Sequence, residues 1–324
     1  LSQIGAEIYG ISLKPNHDEN NLFIEAGVGD LCQDITCDIQ NLKDLKKEIS
    51  IIKPDIIFHL AAQSLVRESY RDPILTFNTN IMGTANILDS ILSIDSVKVA
   101  VMVTTDKVYK NNEWLWPYRE NDHLGGFDPY SSSKAASEII ISSYSDSFLS
   151  KQGVAIASAR AGNVIGGGDW SKERLIPDAI KAWSNDDKVE IRNPSSTRPW
   201  QHVLDPLNGY LVLAEKLWFD KDCSGPYNFG PGLEGTTSVK DVIEIAHSIF
   251  KRGSIEIIED NSNFHEAGML ALDPSKSKNI LGVNCSLNTK QAIHKTIDWY
   301  INYNKGSDPF KLCIEDINSY LNLK

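Results

Sequence analysis

Residues 97–109 read VKVAVMVTTDKVY, and the fold follows from how this stretch is read. Val97 to Val103 is apolar apart from Lys98, the pattern of a parallel strand buried on both faces. It stops on Thr104, Thr105, Asp106 and Lys107. In open α/β sheets, ligands sit outside the carboxyl ends of the strands. A hydroxyl, a carboxyl and an amine at such an edge point to proton chemistry on a bound molecule. The bland alternative is an Asp–Lys pair at a solvated strand end.

Outward from this strand the chain alternates. AEIYGISL (6–13) and PDIIFHLAA (54–62) read as strands, the second ending on small residues. NLKDLKKEISII (41–52) reads as an amphipathic helix with apolar residues at 42, 45, 49 and 52. Helices are predicted over 73–92 and 130–149, and a further strand over 154–166. Repeated strand–helix alternation predicts an α/β fold, a Rossmann-like doubly wound parallel sheet. Beyond about residue 166 the pattern loosens into Gly- and Pro-rich loops. We divide the chain into a sheet domain over 1–165, to which roughly 200–230 returns, and a smaller α+β substrate-binding lobe over 166–324.

The 324 residues carry 41% hydrophobic and 23% charged residues, ordinary for a globular protein with a sizeable core. The net charge of −11 comes without a basic block, so nucleic acid is not an expected partner. No apolar run has the length of a membrane span, and no signal peptide is legible. The five cysteines are irregularly spaced and predict free thiols in a reducing cytoplasm rather than disulfides or a metal site.

FDPYSSSKAASE begins at Phe127 and opens the helix over 130–149. Asp128 is placed as its N-cap and Pro129 at its first position. Tyr130 and Lys134 are four apart and share a face. An ammonium beside a phenol favours the phenolate, so Lys134 is expected to lower the pKa of Tyr130 and make it a base toward a sugar or alcohol hydroxyl. Alone this spacing is weak evidence. It gains weight by following a strand that ends in Thr-Asp-Lys.

Together, TTDKVY and Tyr130-x-x-x-Lys134 resemble the extended short-chain dehydrogenase/reductases that modify nucleotide sugars. FHLAAQSLV (58–66), CDIQNLKDL (37–45), NTNIMGTANIL (78–88), ARAGNVIGGGDW (159–170), RLIPDAI (174–180), TRPWQHVLDPLNGYL (197–211) and PYNFG (226–230) extend the likeness along essentially the whole chain. GNVIGGGDW and TRPWQHV are its most specific parts. The resemblance implies NAD, held by Asp38, Ile39, Leu60, Ala61, Ala62, Asn80 and Thr104 together with Tyr130 and Lys134. It also implies a homodimer built through the Tyr-bearing helix and its neighbour.

Within that group a 4,6-dehydratase needs an acid and a base on neighbouring sugar atoms, which a simple alcohol oxidation does not. The resemblance then makes Tyr130, helped by Lys134, the base at the C4 hydroxyl and Thr105 a hydrogen-bond partner of that oxygen. Asp106 becomes the acid toward C6 and Lys107 the base at C5. In dTDP-sugar members the third position of the triplet is Glu. Lys107 ties this chain to the CDP-sugar branch, with CDP-glucose as the implied substrate. Lysine is a poor base at its free pKa of ~10.4 and is expected to need burial or a cationic neighbour. Asp106 conversely is expected to need a raised pKa.

On the substrate side the expected contacts are Ser64, Asn163, Arg174, Arg192, Arg198, Asn228 and His265. Arginine suits a diphosphate because its planar donors match phosphate oxygens. For Arg192 a plain surface charge is an equal reading. Gly166–Gly168 is expected to allow either a close ligand approach or a sharp bend. His59 is expected to be a satisfied core histidine, and no metal site is expected.

Two features depart from the pattern. No Gly-rich turn precedes AEIYGISL, so the first strand and turn of the dinucleotide unit, roughly 20–30 residues by ordinary element lengths, are expected to be missing. Poor cofactor binding and an unpaired strand edge are the expected consequences. Lys14 stands where an acidic residue usually holds the ribose, with Asp18 and Glu19 further on. NAD over NADP therefore rests on the resemblance. The rival readings are another nucleotide-sugar 4,6-dehydratase, a 4-epimerase, or a non-catalytic remnant that only binds a nucleotide sugar or a partner chain.

Overall fold

Val99–Val103 is the strand that organises the sheet, and its first four residues are wholly buried. The computed structural model describes residues 1–17, 20–259 and 268–323. Its strands in chain order are β1 (Tyr9–Ser12), β2 (Gln33–Thr36), β3 (Ile56–His59), β4 (Val99–Val103), β5 (Ala155–Ala161), β6 (Val164–Ile165), β7 (Lys188–Ile191), β8 (Thr197–Pro199), β9 (Gln201–His202), β10 (Gly225–Phe229), β11 (Thr236–Ser238) and β12 (Ser254–Ile257). The α-helices are α1 (Leu22–Glu25), α2 (Leu42–Ile52), α3 (Val66–Arg71), α4 (Pro73–Phe77), α5 (Gly83–Ile91), α6 (Pro129–Tyr144), α7 (Leu175–Ser184), α8 (Leu204–Phe219), α9 (Val239–Phe250), α10 (Thr289–Asn304) and α11 (Pro309–Leu321).

The main sheet is parallel, in the order β10–β5–β4–β3. Val101 stands opposite Phe58 on one side and Ala157 on the other. Successive side chains point to opposite faces. Ala100, Met102 and Ile156 therefore meet Ile87, Leu88 and Ile91 of α5, while Val99, Val101 and Ala157 meet Tyr210, Leu213 and Leu217 of α8. Helices on both faces are what makes the strands read as continuous apolar runs.

β1 and β2 form a separate parallel pair, with Ile11 opposite Ile35. The residue pattern did not announce β2. β3 is less buried than its sequence suggests, since Ile56 is 37% exposed. One edge of β3 bonds to β4, and the other pairs with no strand among the described residues.

Both long predicted helices form, each interrupted by a π turn. Asn78–Met82 joins α4 to α5, and Ser145–Leu149 follows α6. The Asp128 carboxylate accepts from the Ser131 amide at 2.9 Å and Pro129 takes the first turn, as the capping pattern predicts. A second core lies between α7, α9 and α10, around Trp183, Ile180, Val242, Ile293 and Tyr300. The glycine run closes onto this core rather than opening a loop. A Cβ on Gly167 would lie 2.1 Å from the Trp299 ring, and Gly168 turns with φ +77° against Leu22. Among the described residues no helix is long and apolar enough to cross a membrane, and the five cysteines are free thiols.

Candidate active site

A cavity of about 860 Å³ opens beyond the carboxyl ends of β4 and β5, bounded by the starts of α6 and α7 and by β7. Its wall includes Thr104, Thr105, Lys107 and Tyr130 from the sheet side. From the lobe side it includes Asn163, Arg174, Arg192 and Arg198, with Ser64 at the rim. Residues separated by more than ninety positions are thus brought to one space.

Tyr130 and Lys134 are both buried in the first two turns of α6. The structure differs from the expected lowering of the tyrosine pKa. Burial pushes Tyr130 up to about 12, against hydrogen bonding with Thr105 and the charge of Arg174, which pull it down. Burial likewise pulls Lys134 down to about 8, while the Glu138 carboxylate one turn later opposes the fall. The Lys134 ammonium donates to the Val103 carbonyl at 3.3 Å. Desolvation penalises both charges and is the largest cause of each shift.

The triplet after β4 is tightly tied. Thr105 Oγ1 donates to Asp106 Oδ1 at 3.0 Å, and Lys107 Nζ reaches the same oxygen at 3.3 Å. Asp106 is wholly buried behind the cavity wall, and its Oδ2 has no hydrogen-bond partner. Lys107 is on the wall with its side chain 29% exposed, and its neighbour is a carboxylate. The burial or cationic neighbour expected for it is therefore not what surrounds it.

Beneath this turn lies a buried network that the sequence reading did not include. Glu138 accepts from Thr104 Oγ1 at 2.5 Å and from Ser158 Oγ at 2.7 Å. Its two oxygens also take Arg160 Nε at 2.9 Å and Nη2 at 2.8 Å. Arg160 Nη1 donates to the Tyr109 hydroxyl at 2.8 Å and to the Glu120 carbonyl at 3.0 Å. One ion pair therefore holds Thr104 before the triplet and Tyr109 after it. The legible signal was the Lys134-x-x-x-Glu138 spacing, together with an arginine inside an otherwise small and apolar strand.

On the lobe side, Arg174 donates to Asp169 and to Ser64, each at 3.0 Å. Asn163 Oδ1 is buried without a partner. Asn228 is a correction. It is wholly buried, accepts from Tyr109 at 2.7 Å and donates to the carbonyls of Tyr118 and Asp273, so its amide is consumed by the core. His265 falls outside the described residues. His59 is buried, lies 3.3 Å from Thr84 Oγ1, and is pulled down to about 3 by burial, as a core histidine should be.

Of the residues expected to hold a dinucleotide, Thr104 caps the end of β4, and Leu60, Ala61 and Ala62 follow β3. Leu60 is 52% exposed and Leu13, just after β1, is 64% exposed. With Asp38 beyond β2, this edge offers apolar surface and a carboxylate, a set that fits an adenosine. Asn80 and the Ile39 side chain face the core rather than this open edge. Asn80 is 1% exposed and spends its amide on the Gln63 backbone and Ser133. The Ile39 side chain is buried in the core, and its carbonyl accepts from Asn86.

A family model described as GDP-mannose 4,6 dehydratase matches residues 21–296. The chain is 38% identical over 327 residues to CDP-glucose 4,6-dehydratase of Salmonella typhimurium, covering 99% of this chain and 91% of that protein. It is 28% identical over 275 residues to a putative UDP-glucose 4-epimerase of Methanocaldococcus jannaschii, covering 84% and 85%. Among solved structures, dTDP-glucose 4,6-dehydratase of Bacillus anthracis in complex with NAD aligns with a TM-score of 0.78 at 22% identity, covering 95% and 92%. Pal of Bacillus thuringiensis aligns with a TM-score of 0.79 at 21% identity, covering 93% of each chain. At these identities the structures speak to the fold, which is the Rossmann-like α/β fold read from the sequence.

Proposed function

The chain belongs to the GDP-mannose 4,6 dehydratase family, and on that premise we propose that it is a hydro-lyase converting CDP-D-glucose to CDP-4-dehydro-6-deoxy-D-glucose and water. The carrying observation is that Thr105 and Lys107 share one cavity with Tyr130. An epimerase needs the tyrosine alone. Elimination needs an acid and a second base beside it.

NAD, when bound, supplies the hydride chemistry, accepting a hydride from C4 and returning it at C6. Tyr130 takes the proton of the C4 hydroxyl, and the Thr105 hydroxyl steadies that oxygen. The C4 ketone acidifies C5, from which Lys107 takes a proton. Asp106 delivers a proton to the C6 hydroxyl, which leaves as water, and Thr105, hydrogen-bonded to Asp106, offers the route to the cavity. The proton on Lys107 then returns to C5, and the proton taken by Tyr130 passes by way of Thr105 to restore Asp106, so the sum is loss of one water. Arg174, Arg192 and Arg198 serve the diphosphate, and Lys134 holds a positive charge beside the reacting tyrosine.

The assembly we favour is a homodimer through α4, α6 and the π turn that follows each, where Ile74, Met82, Ile139 and Phe148 are half or more exposed. Sedimentation at micromolar concentration should give twice the chain mass, and a single-chain mass would refute it. The five free thiols suit the reducing cytoplasm.

The deciding experiment incubates the protein with NAD and CDP-glucose and follows the sugar by NMR. A 4-keto-6-deoxy product is expected, and K107M combined with D106N should abolish it. A C4-epimerised sugar, or full dehydration by the double variant, would overturn the reading.

A further inference from the structure

The phenols Tyr109, Tyr130 and Tyr210 line this cavity; the hydroxyl of Tyr109 is spent on Asn228 and Arg160, and nothing in the elimination chemistry uses Tyr210. It lies on α8, is 6% exposed, and its ring stands edge-on to Phe229 at 5.4 Å. It also lines the cavity wall. Among the described residues its hydroxyl has no hydrogen-bond partner, and it is not one of the sealed-off polar atoms, so it opens onto the cavity. A buried tyrosine normally finds a partner for its hydroxyl, since unpaired polar groups are costly and rare. A phenol whose hydroxyl opens onto a substrate cavity, with no protein partner of its own, is held ready for something that enters it.

Tyr210 is also electrostatically coupled to Tyr130. Burial raises the pKa of Tyr210, and the neighbouring Tyr130 raises it further. Tyr130 has relief from Thr105 and Arg174, and Tyr210 has none. Two adjacent phenols resist ionising together. Tyr130 is thus the one that gives up its proton, and Tyr210 remains a neutral O–H donor.

We propose that Tyr210 is a substrate contact: its hydroxyl donates a hydrogen bond to a hydroxyl oxygen of the hexose and fixes the ring beside Tyr130. This rests on the nucleotide-sugar reading above and assigns the sugar end of that site. It predicts that Tyr210 matters for CDP-glucose and not for CDP, which lacks the hexose.

The test is Y210F in the full chain, which removes one oxygen and keeps the ring on Phe229. Turnover of CDP-glucose with NAD should fall about tenfold or more in kcat/KM. Affinity for CDP, measured by calorimetry, should not change. The melting temperature should hold or rise, because the deleted oxygen had no partner in the protein. The pH profile of kcat should shift on the limb governed by Tyr130. A lower melting temperature with CDP and CDP-glucose weakened alike would mean a structural role and overturn the proposal. So would a variant with wild-type kcat/KM. A wild-type protein silent toward CDP-glucose but able to bind CDP would sink the function reading, and this inference with it.

Discussion

The two walls of the cavity are built on opposite principles. The sheet wall rests on a buried ion pair: Glu138 and Arg160 are 5% and 2% exposed, and each spends its charge on fixed partners. The lobe wall is half open. Arg192 is exposed and Arg174 is 40% exposed at its side chain, held by Asp169 and the Ser64 hydroxyl. Proton transfer tolerates little misplacement, so its residues are preorganised. A diphosphate is long, charged and well solvated, and arginines that can swing suit it. The difference separates positioning from capture, and it can be attacked from either side.

The largest effect should come from breaking the sheet wall at its centre. E138Q leaves Arg160 buried beside a neutral amide, and removing one partner of such a pair costs about 3–5 kcal/mol. Urea unfolding should show that loss, with kcat falling too because Thr104 and Tyr109 lose their shared anchor. Unchanged stability would mean that the ion pair does not organise this wall.

Acid should act next. His59 and His202 are buried, and burial pulls them to about 3 and about 4. Both folded values lie below the ordinary histidine value, so the unfolded chain binds the protons first. Their contribution is complete above about pH 6.5 and is lost as the pH falls toward those folded values. Where both differ, between about pH 6 and pH 4, the slope should approach two protons, about 2.7 kcal/mol per pH unit. Unfolding followed across that range, with H59Q as a comparison, measures it. A slope unaltered by H59Q would remove His59 from the account.

The lobe wall should respond through binding. R198Q should raise KM for CDP-glucose about 10- to 100-fold, the size of a lost charged hydrogen bond, with kcat little changed. A fall in kcat at constant KM would place Arg198 with the positioning wall instead. Smallest of all should be E173Q at the rim. Its partner Arg71 is exposed, and the variant should melt where the parent does.

The run into Thr104–Lys107, the α6 cap at Asp128 and the strand–helix alternation were readable because each depends on neighbours a few positions away. The same is true of the Tyr130–Lys134 spacing. Polar side chains whose fate a distant partner decides were not readable in this way. Asn228 was expected at the nucleotide, but Tyr109, more than a hundred positions earlier, claims its amide. Asn80 was expected to help hold NAD, but the Gln63 backbone and Ser133 take its amide. Lys134 was expected to ease the ionisation of Tyr130, but desolvation, which belongs to the packed state alone, raises that phenol.

By itself the sequence determined the parallel α/β fold, the strand end that carries the chemistry, and the residue types gathered there. Those are consequences of hydrophobic period, capping and short spacing, which the chain encodes locally. Only the tertiary structure decided which polar atoms stay free. The buried amide of Asn228 is consumed, while Asp106 Oδ2 and Asn163 Oδ1 are not. Hydrogen-bond satisfaction depends on which groups packing brings within about 3 Å, and burial then sets the cost of every charge and every unmade bond.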